Sequence, residues 1–342
     1  MLELLTSETE LEERLSRPSA ADIAAMKALN GDLLILGAGG KMGPSLARLA
    51  RRASDEASKQ RRIVAVARFS NPVLRKQLES AGIETIVADL LDAGSLAKLP
   101  EAPNVIFMAA RKFGTTGSEH LTWALNTYLP GLVAERYHAS RIVAFSTGNV
   151  YPLRPISLGG ATETSRVGPV GEYAQSALGR ERMFEFGSAK SGTPAAILRL
   201  NYAVDLRYGV LSDIGRAVFE KRAVNVGMGL VNVIWQRDAN SVALRLLAHC
   251  QSPPLVLNVA GPETLAVRYL AHEFGARFGI DPLFVGEETE TALLSNAAQC
   301  HQLFGYPSVS VRELIDWTAH WISIGGACLH KPTHFQVRDG QF

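Results

Sequence analysis

The stretch "DLLILGAGGKMGPSLARLARRA", residues 32–53, decides the fold. Four consecutive apolar residues, Leu33 to Leu36, run straight into a glycine loop, and a helical pattern begins directly behind it. An apolar run without alternation marks a strand covered on both faces, and so a parallel sheet with helices above and below. Within the loop Gly37, Gly40 and Gly43 recur three apart. The first permits a tight turn, the second lets the backbone approach a pyrophosphate, and the third allows close helix–strand packing. The N-terminus of the following helix stabilises an anion through its unpaired N–H groups. A lone glycine pattern is a weak signal. Here the strand, the loop and the helix stand in the required order, and the alternation continues.

Outward from this unit, further strands are read in "RRIVAVARF" (61–69), "IETIVADL" (83–90), "NVIFMAA" (104–110), "RIVAFSTGNVY" (141–151) and "PAAILRLNY" (194–202), with helical stretches between them. The long helix through "SEHLTWALNTYLPGLVAERYH" is predicted to kink near Pro130-Gly131, where proline removes a donor. The fold class is therefore α/β: a Rossmann-type doubly wound parallel sheet over residues 31–202. After residue 202 the rhythm changes. Residues 203–326 are read as mostly a smaller, discontinuous substrate-binding domain, broken by "VNVIW" and "PLVLNVAG", with one or two segments returning to the sheet. Residues 1–30 form a helical extension with two short helices, "SETELEERL" and "PSAADIAAMKAL". Residues 327–342 are a polar arm with two phenylalanines, either a disordered tail or an arm packed on the domain or on a second subunit.

Composition narrows the function classes. The chain has 342 residues, 47% hydrophobic and 20% charged, and a formal net charge of +2, so no concentrated basic face for nucleic acid is implied. Cys250, Cys300 and Cys328 are far apart and in no metal-like spacing, as reduced thiols would be. His330 and His334 are four apart with Pro332 between them, which argues against a helical metal pair; no metal is expected. The N-terminus "MLELLTSETELEERL" is acidic where a signal peptide is basic, and no apolar run approaches the ~20 residues that cross a bilayer. A cytoplasmic protein without membrane or nucleic-acid partners is expected.

The end of the second strand bears on the ligand. A carboxylate there accepts hydrogen bonds from the adenosine ribose. The sequence has Ala67, Arg68, Phe69 and Ser70 instead. Arg68 is placed to pair with a 2′-phosphate, assisted by Lys41, or to stack on adenine as a surface residue. NADP is preferred on this ground, with NAD possible. Asp89 in "VADLLD" is placed to meet the adenine amino group, or to cap a helix.

Taken together, the glycine loop, "VADLLD", "FSTGNVY" and "EYAQS" resemble the extended short-chain dehydrogenase/reductase family, the NAD-dependent epimerase/dehydratases. The resemblance covers about residues 32–322 and includes "LRLNY", "LNVAGPETLAVRYLA" and "LFGYPSVSVRELIDWTAHW". It implies a cofactor site built from Gly37, Gly39, Gly40, Lys41, Met42, Gly43, Arg68, Asp89, Leu90, Ala109, Ala110, Asn126, Ser146 and Tyr173. It also implies a catalytic pair, Thr147 and Tyr173, in which the tyrosine as phenolate takes a proton from a substrate hydroxyl. In the family a lysine four residues after the tyrosine lowers its pKa from ~10. Here that position is Ala177. Arg180, Arg111 and Lys112 are the candidate replacements. Tyr151, Glu163 and Asn201 match loops that face the substrate. Sugar-nucleotide members carry an arginine that grips the diphosphate, and the corresponding place here is near Asn232, with no arginine before Arg237. The resemblance thus implies hydride transfer on a sugar, sugar acid or keto-sugar, with a nucleotide sugar less favoured and a homodimer possible. The alternative left open by Ala177 is a catalytically silent, cofactor-binding sensor.

Overall fold

The apolar run Leu33–Leu36 is an inner strand, β1, of a seven-stranded parallel sheet. The computed structural model describes residues 4–331 and 333–341, so Met1 to Glu3, Pro332 and Phe342 of the two terminal segments lie outside it. The remaining strands are β2 (Ile63–Ala67), β3 (Glu84–Val87), β4 (Asn104–Phe107), β5 (Arg141–Thr147), β6 (Ala195–Leu200) and β7 (Leu255–Val259). Their order is β7-β6-β5-β4-β1-β2-β3. The chain builds outward from β1 to β3 and then crosses to β4 on the other side of β1. A crevice therefore opens at the carboxyl ends of β1 and β4.

Strand alternation explains why β1 is apolar throughout. Leu33 and Ile35 enter one core with the glycine-loop helix (Gly43–Glu56) and the helix Gln236–Leu246. Leu34 and Leu36 enter a second core with Leu129, Val133 and Phe184 on the opposite face. A third core gathers Val204, Leu211, Trp235, Phe274, Trp317 and Trp321 in the smaller lobe. Of the two segments that interrupt residues 203–326, Leu255–Val259 pairs with β6 and completes the main sheet. The other stays in the smaller lobe, where Leu230–Val231 and Ile234–Trp235 make two-residue pairings with Leu265–Ala266 and Ala203–Val204.

The amino-terminal helices Glu8–Ser16 and Ala20–Ala28 pack on the glycine-loop helix, the second closed by a Ser19–Asp22 capping box. Glu12 reaches both Arg48 and Arg207, at 2.6 and 2.7 Å. The long helix breaks earlier than its proline suggests. Glu119–Trp123 is α-helical, Ala124–Tyr128 is a π turn, and Leu129–Arg136 resumes as α-helix. The Leu129 N–H reaches back five residues to the Ala124 carbonyl, and Pro130 sits in the first turn of the new helix, where no N–H is needed. Among the described residues no helix is long and apolar enough to cross a membrane.

Candidate active site

The predicted cofactor residues fall in a row, because each ends a neighbouring strand. Asp89 follows β3, Arg68 follows β2, the glycine loop follows β1, Ala109 and Ala110 follow β4, and Ser146 and Thr147 end β5. Gly39, Gly40, Arg68, Asp89 and Ala110 are exposed along this trough, over buried Met42 and Leu90. Gly37 has φ +91°, and a Cβ there would lie 2.5 Å from the Ala109 nitrogen. A Cβ on Gly43 would lie 2.2 Å from the Ala38 carbonyl oxygen. These two glycines are demanded by the chain's own packing.

Gly40 is not. A Cβ there would meet its nearest neighbour at 3.6 Å, an ordinary contact. The helix behind it, Gly43–Glu56, has no side-chain cap on its first N–H groups. A bare helix N-terminus fronted by an unforced glycine fits the pyrophosphate of a dinucleotide. Asp89 accepts from the Leu91 N–H at 3.0 Å in a local turn. Lys41 departs from its predicted role beside Arg68. Its Nζ donates to the Ala203 carbonyl at 3.2 Å and lies 3.5 Å over the Tyr208 ring, across the trough from β2. Burial pushes its pKa down to about 7.

Tyr173 is the third residue of the helix Gly171–Ser191 and is 8% exposed, as is Thr147. Thr147 stands close enough to Tyr173 for its hydroxyl to act on the tyrosine's ionisation. Thr147 Oγ1 donates to Asn149 Oδ1 at 3.0 Å and accepts from its N–H at 3.2 Å, which fixes its rotamer. Burial raises the Tyr173 pKa, while the Arg180 guanidinium and the Thr147 hydroxyl pull it back. Arg180, two helical turns on, is itself buried. It donates to the Phe145 carbonyl at 2.7 Å and to Asn126 Oδ1 at 2.9 Å. Ala177 between them is fully buried against Val150, Tyr151 and Ala161.

The other two candidate cations differ. Arg111 turns back on its own loop and donates to the Gly114 carbonyl at 2.6 Å. Lys112 stands 5.8 Å from the Tyr173 ring centre, donates to the Thr333 carbonyl at 3.3 Å, and is pushed by burial to about 8. Asn126, presented by the π turn, clamps the Arg111 backbone on both sides: its Oδ1 accepts from the N–H and its Nδ2 donates to the carbonyl, each at 2.9 Å. The same Nδ2 donates to Ser176 Oγ at 3.0 Å, and Ser176 donates to the Tyr173 carbonyl at 2.9 Å.

The structure gathers a different set behind the site. Ser146 donates to Glu181 at 2.5 Å, and Glu181 pairs with Arg199 at 2.6 Å. Arg199 donates to the Tyr151 hydroxyl, which donates to Asn258 Oδ1, each at 2.8 Å; the Asn258 N–H donates to Glu163 at 2.9 Å. Ser146, Tyr151 and Glu163 are thus held in one polar chain. Asn201 donates to Asn232 at 2.8 Å, and Asn232 donates to the Ser295 carbonyl at 2.6 Å. Arg237 pins the amino-terminal extension through Asp22 at 2.7 Å and the Arg17 carbonyl. Tyr208 and Asp213, which the sequence did not single out, stand close enough to Tyr173 and Lys41 to shift one another's ionisation. They lie in a loop and on a helix face without motif, so no sequence signal marks them. Among the described residues there is no group of three or more His, Cys, Asp or Glu side chains able to hold a metal ion.

Comparison with known proteins agrees with this geometry. The NAD dependent epimerase/dehydratase family model matches residues 33–204, half of the chain. MoeE5 in complex with UDP-glucose and NAD is 20% identical, with a TM-score of 0.67 over 86% of this chain and 99% of that one. DesIV, a dTDP-glucose 4,6-dehydratase from Streptomyces venezuelae with NAD and TYD bound, is 17% identical, with a TM-score of 0.71 over 85% and 97%. The UDP-glucuronic acid 4-epimerase from Bacillus cereus, in complex with NAD, is 16% identical, with a TM-score of 0.69 over 85% and 98%. No curated protein sequence matches the chain. Through residues 33–204, and with a sheet, glycine trough and tyrosine helix in the places that family requires, the chain belongs to the NAD-dependent epimerase/dehydratase family.

Proposed function

We propose that this protein is an enzyme that moves a hydride to or from a carbohydrate-type carbon, with a nicotinamide dinucleotide in the trough and Tyr173 at the substrate oxygen. The observation that carries this is the buried pair Tyr173 and Thr147 with the Arg180 guanidinium behind it. When bound in the trough, a nicotinamide would supply the hydride acceptor or donor. Tyr173 holds the proton of the substrate hydroxyl at its own oxygen, and Thr147 hydrogen-bonds the same oxygen. Arg180 acts as a positioning residue: it favours the ionised tyrosine from a buried place and ties the helix to the end of β5. The silent-sensor reading rests on Ala177, and a cation retained beside the tyrosine counts against it.

We assign NAD rather than NADP as the working cofactor. The sequence favoured NADP through Arg68 assisted by Lys41, but Lys41 turns to the Ala203 carbonyl and the Tyr208 ring and so is engaged elsewhere. The solved relatives named above carry NAD. Those relatives are named for sugars attached to nucleotides. Here the place of the diphosphate-gripping arginine is held by Asn232, whose amide is engaged with Asn201 and Ser295, and Arg237 serves the amino-terminal extension. A sugar, sugar acid or keto-sugar without a nucleotide is therefore the proposed substrate class. We also propose that the chain acts as a homodimer.

The test is cofactor absorbance followed with NAD and a panel of sugars, sugar acids and sugar nucleotides. Tyr173→Phe is expected to lower turnover by about a thousandfold or more while cofactor affinity stays within about twofold. Unchanged turnover in that variant removes the mechanism.

A further inference from the structure

The carboxy-terminal segment, residues 327–331 and 333–341, runs over the mouth of the site and touches both lobes. Leu329 donates its N–H to the Arg207 carbonyl at 3.1 Å. Thr333, 3% exposed, donates through its N–H and its hydroxyl to the same Asp213 oxygen, at 2.8 and 2.6 Å. Its carbonyl accepts from Lys112, the lysine over the Tyr173 ring. The His334 ring lies 5.9 Å from that of Phe113, in the loop after β4. Beyond it, Arg338 donates to the Thr291 and Gly227 carbonyls of the smaller lobe, at 2.9 and 3.2 Å.

The segment ends against the tyrosine helix itself. Gly171 and Gly340 both have positive φ, +80° and +75°. A Cβ on Gly171 would lie 2.4 Å from the Gly340 carbonyl oxygen, and one on Gly340 would lie 2.2 Å from the Val170 oxygen. Backbone therefore meets backbone two residues before Tyr173, at a step only glycine allows. With this segment in place Tyr173 and Thr147 are each 8% exposed.

The segment has two unlike halves. Phe335 is 7% exposed and belongs to the core of the smaller lobe, so it anchors. Residues 336–341 are polar apart from Val337, and none of them is fully buried. They can leave without opening a core.

We infer that this carboxy-terminal segment forms a strap over the Tyr173 site, hinged at the Phe335 anchor, whose residues 336–341 must lift from the Val170–Gly171 step for ligands to enter and leave. This rests on the reading of the trough and Tyr173 as the ligand site. A site that binds only when open shows an association rate and an apparent affinity scaled by its open fraction.

The test is stopped-flow association of NADH, read by its fluorescence, with the full chain and with a chain ending at Gln336. The shortened chain keeps Phe335 and Thr333 and loses Arg338 and Gly340. Association is expected to be about tenfold faster, with hydrogen exchange of residues 333–336 also accelerated. Arg338→Ala, which removes the strap's bonds to Thr291 and Gly227 and leaves Thr333 and Phe335 in place, is expected to raise the rate about threefold, and it decides the matter if the shortened chain does not fold. Equal rates within twofold overturn the strap while leaving the binding site intact. Absence of NADH binding by every chain overturns the strap and the site together.

Discussion

In the proposed reaction Tyr173 loses its proton near neutral pH, and its surroundings act on that step in opposite directions. Burial raises its pKa; Arg180 and the Thr147 hydroxyl lower it. Each pKa unit not recovered costs about 1.4 kcal/mol in the population of the ionised form. The family lysine cannot simply be restored. Ala177 is fully buried against Val150, Tyr151 and Ala161, and a lysine there would overpack that contact three residues from a buried guanidinium. Arg180 holds a position two turns along instead, with two of its nitrogens spent on the Phe145 carbonyl and Asn126. Removing its charge as Arg180→Met therefore raises the Tyr173 pKa. Because the active form is the deprotonated one, the acid limb of the pH–rate profile is expected to move to higher pH, with a loss of turnover at neutral pH that recovers on the alkaline side. A loss equal at every pH would make Arg180 structural only. That Thr147 and Tyr173 come together was legible in the sequence because "FSTGNVY" and "EYAQS" are contiguous motifs. Which candidate cation stands behind the tyrosine was not, since Arg180 on the helix and Arg111 and Lys112 in the loop after β4 are all within reach on sequence grounds and differ in where tertiary contacts turn them.

Among the elements, the π turn Ala124–Tyr128 does the most for the site. One extra residue in the turn offsets Asn126 so that a single amide meets the Arg111 backbone, Ser176 and Arg180. Asn126→Ala would leave the Arg111 N–H and carbonyl and one Arg180 nitrogen without that partner. A loss of about 2–4 kcal/mol is expected by urea unfolding, together with the same alkaline displacement of the pH–rate profile as Arg180→Met, since the guanidinium loses an anchor. A stability change below ~0.5 kcal/mol would show that the clamp is dispensable. The strands of the larger lobe were readable because burial on both faces leaves unbroken apolar runs. The π turn was not, because proline predicts a break at itself and the strain is relieved upstream. The carboxy-terminal segment carries no periodicity, and its place is set by glycines and single polar contacts that only the folded chain brings together.

At the scale of the whole molecule, the tyrosine helix faces two ways. Inward it packs so closely on the π turn and the following helix that a Cβ on Gly179 would lie 2.5 Å from Thr127 Oγ1, and one on Gly187 2.8 Å from the Ala134 side chain. Outward the same helices leave an apolar groove lined by Trp123, Tyr128, Leu132 and Met183. Tyr128 is 60% exposed at its rim, and Phe186 on the tyrosine helix is 63% exposed. Large aromatic side chains held in water on a rigid two-helix face are what a self-complementary contact uses: the same face on a second copy covers them, and the symmetry closes. Such a pairing would also brace the helix that carries Tyr173 and Arg180 from the side opposite the sheet. The wild-type chain is expected to sediment as a dimer at micromolar concentration. Phe186→Glu with Tyr128→Glu places four like charges in the paired face and is expected to yield monomers with an unchanged far-ultraviolet spectrum. Turnover is then expected to fall severalfold, because the tyrosine helix loses its outer support. A wild-type monomer at tens of micromolar, or a dimer that survives both glutamates, would place the contact elsewhere and leave the exposed aromatic face without a partner of its own kind.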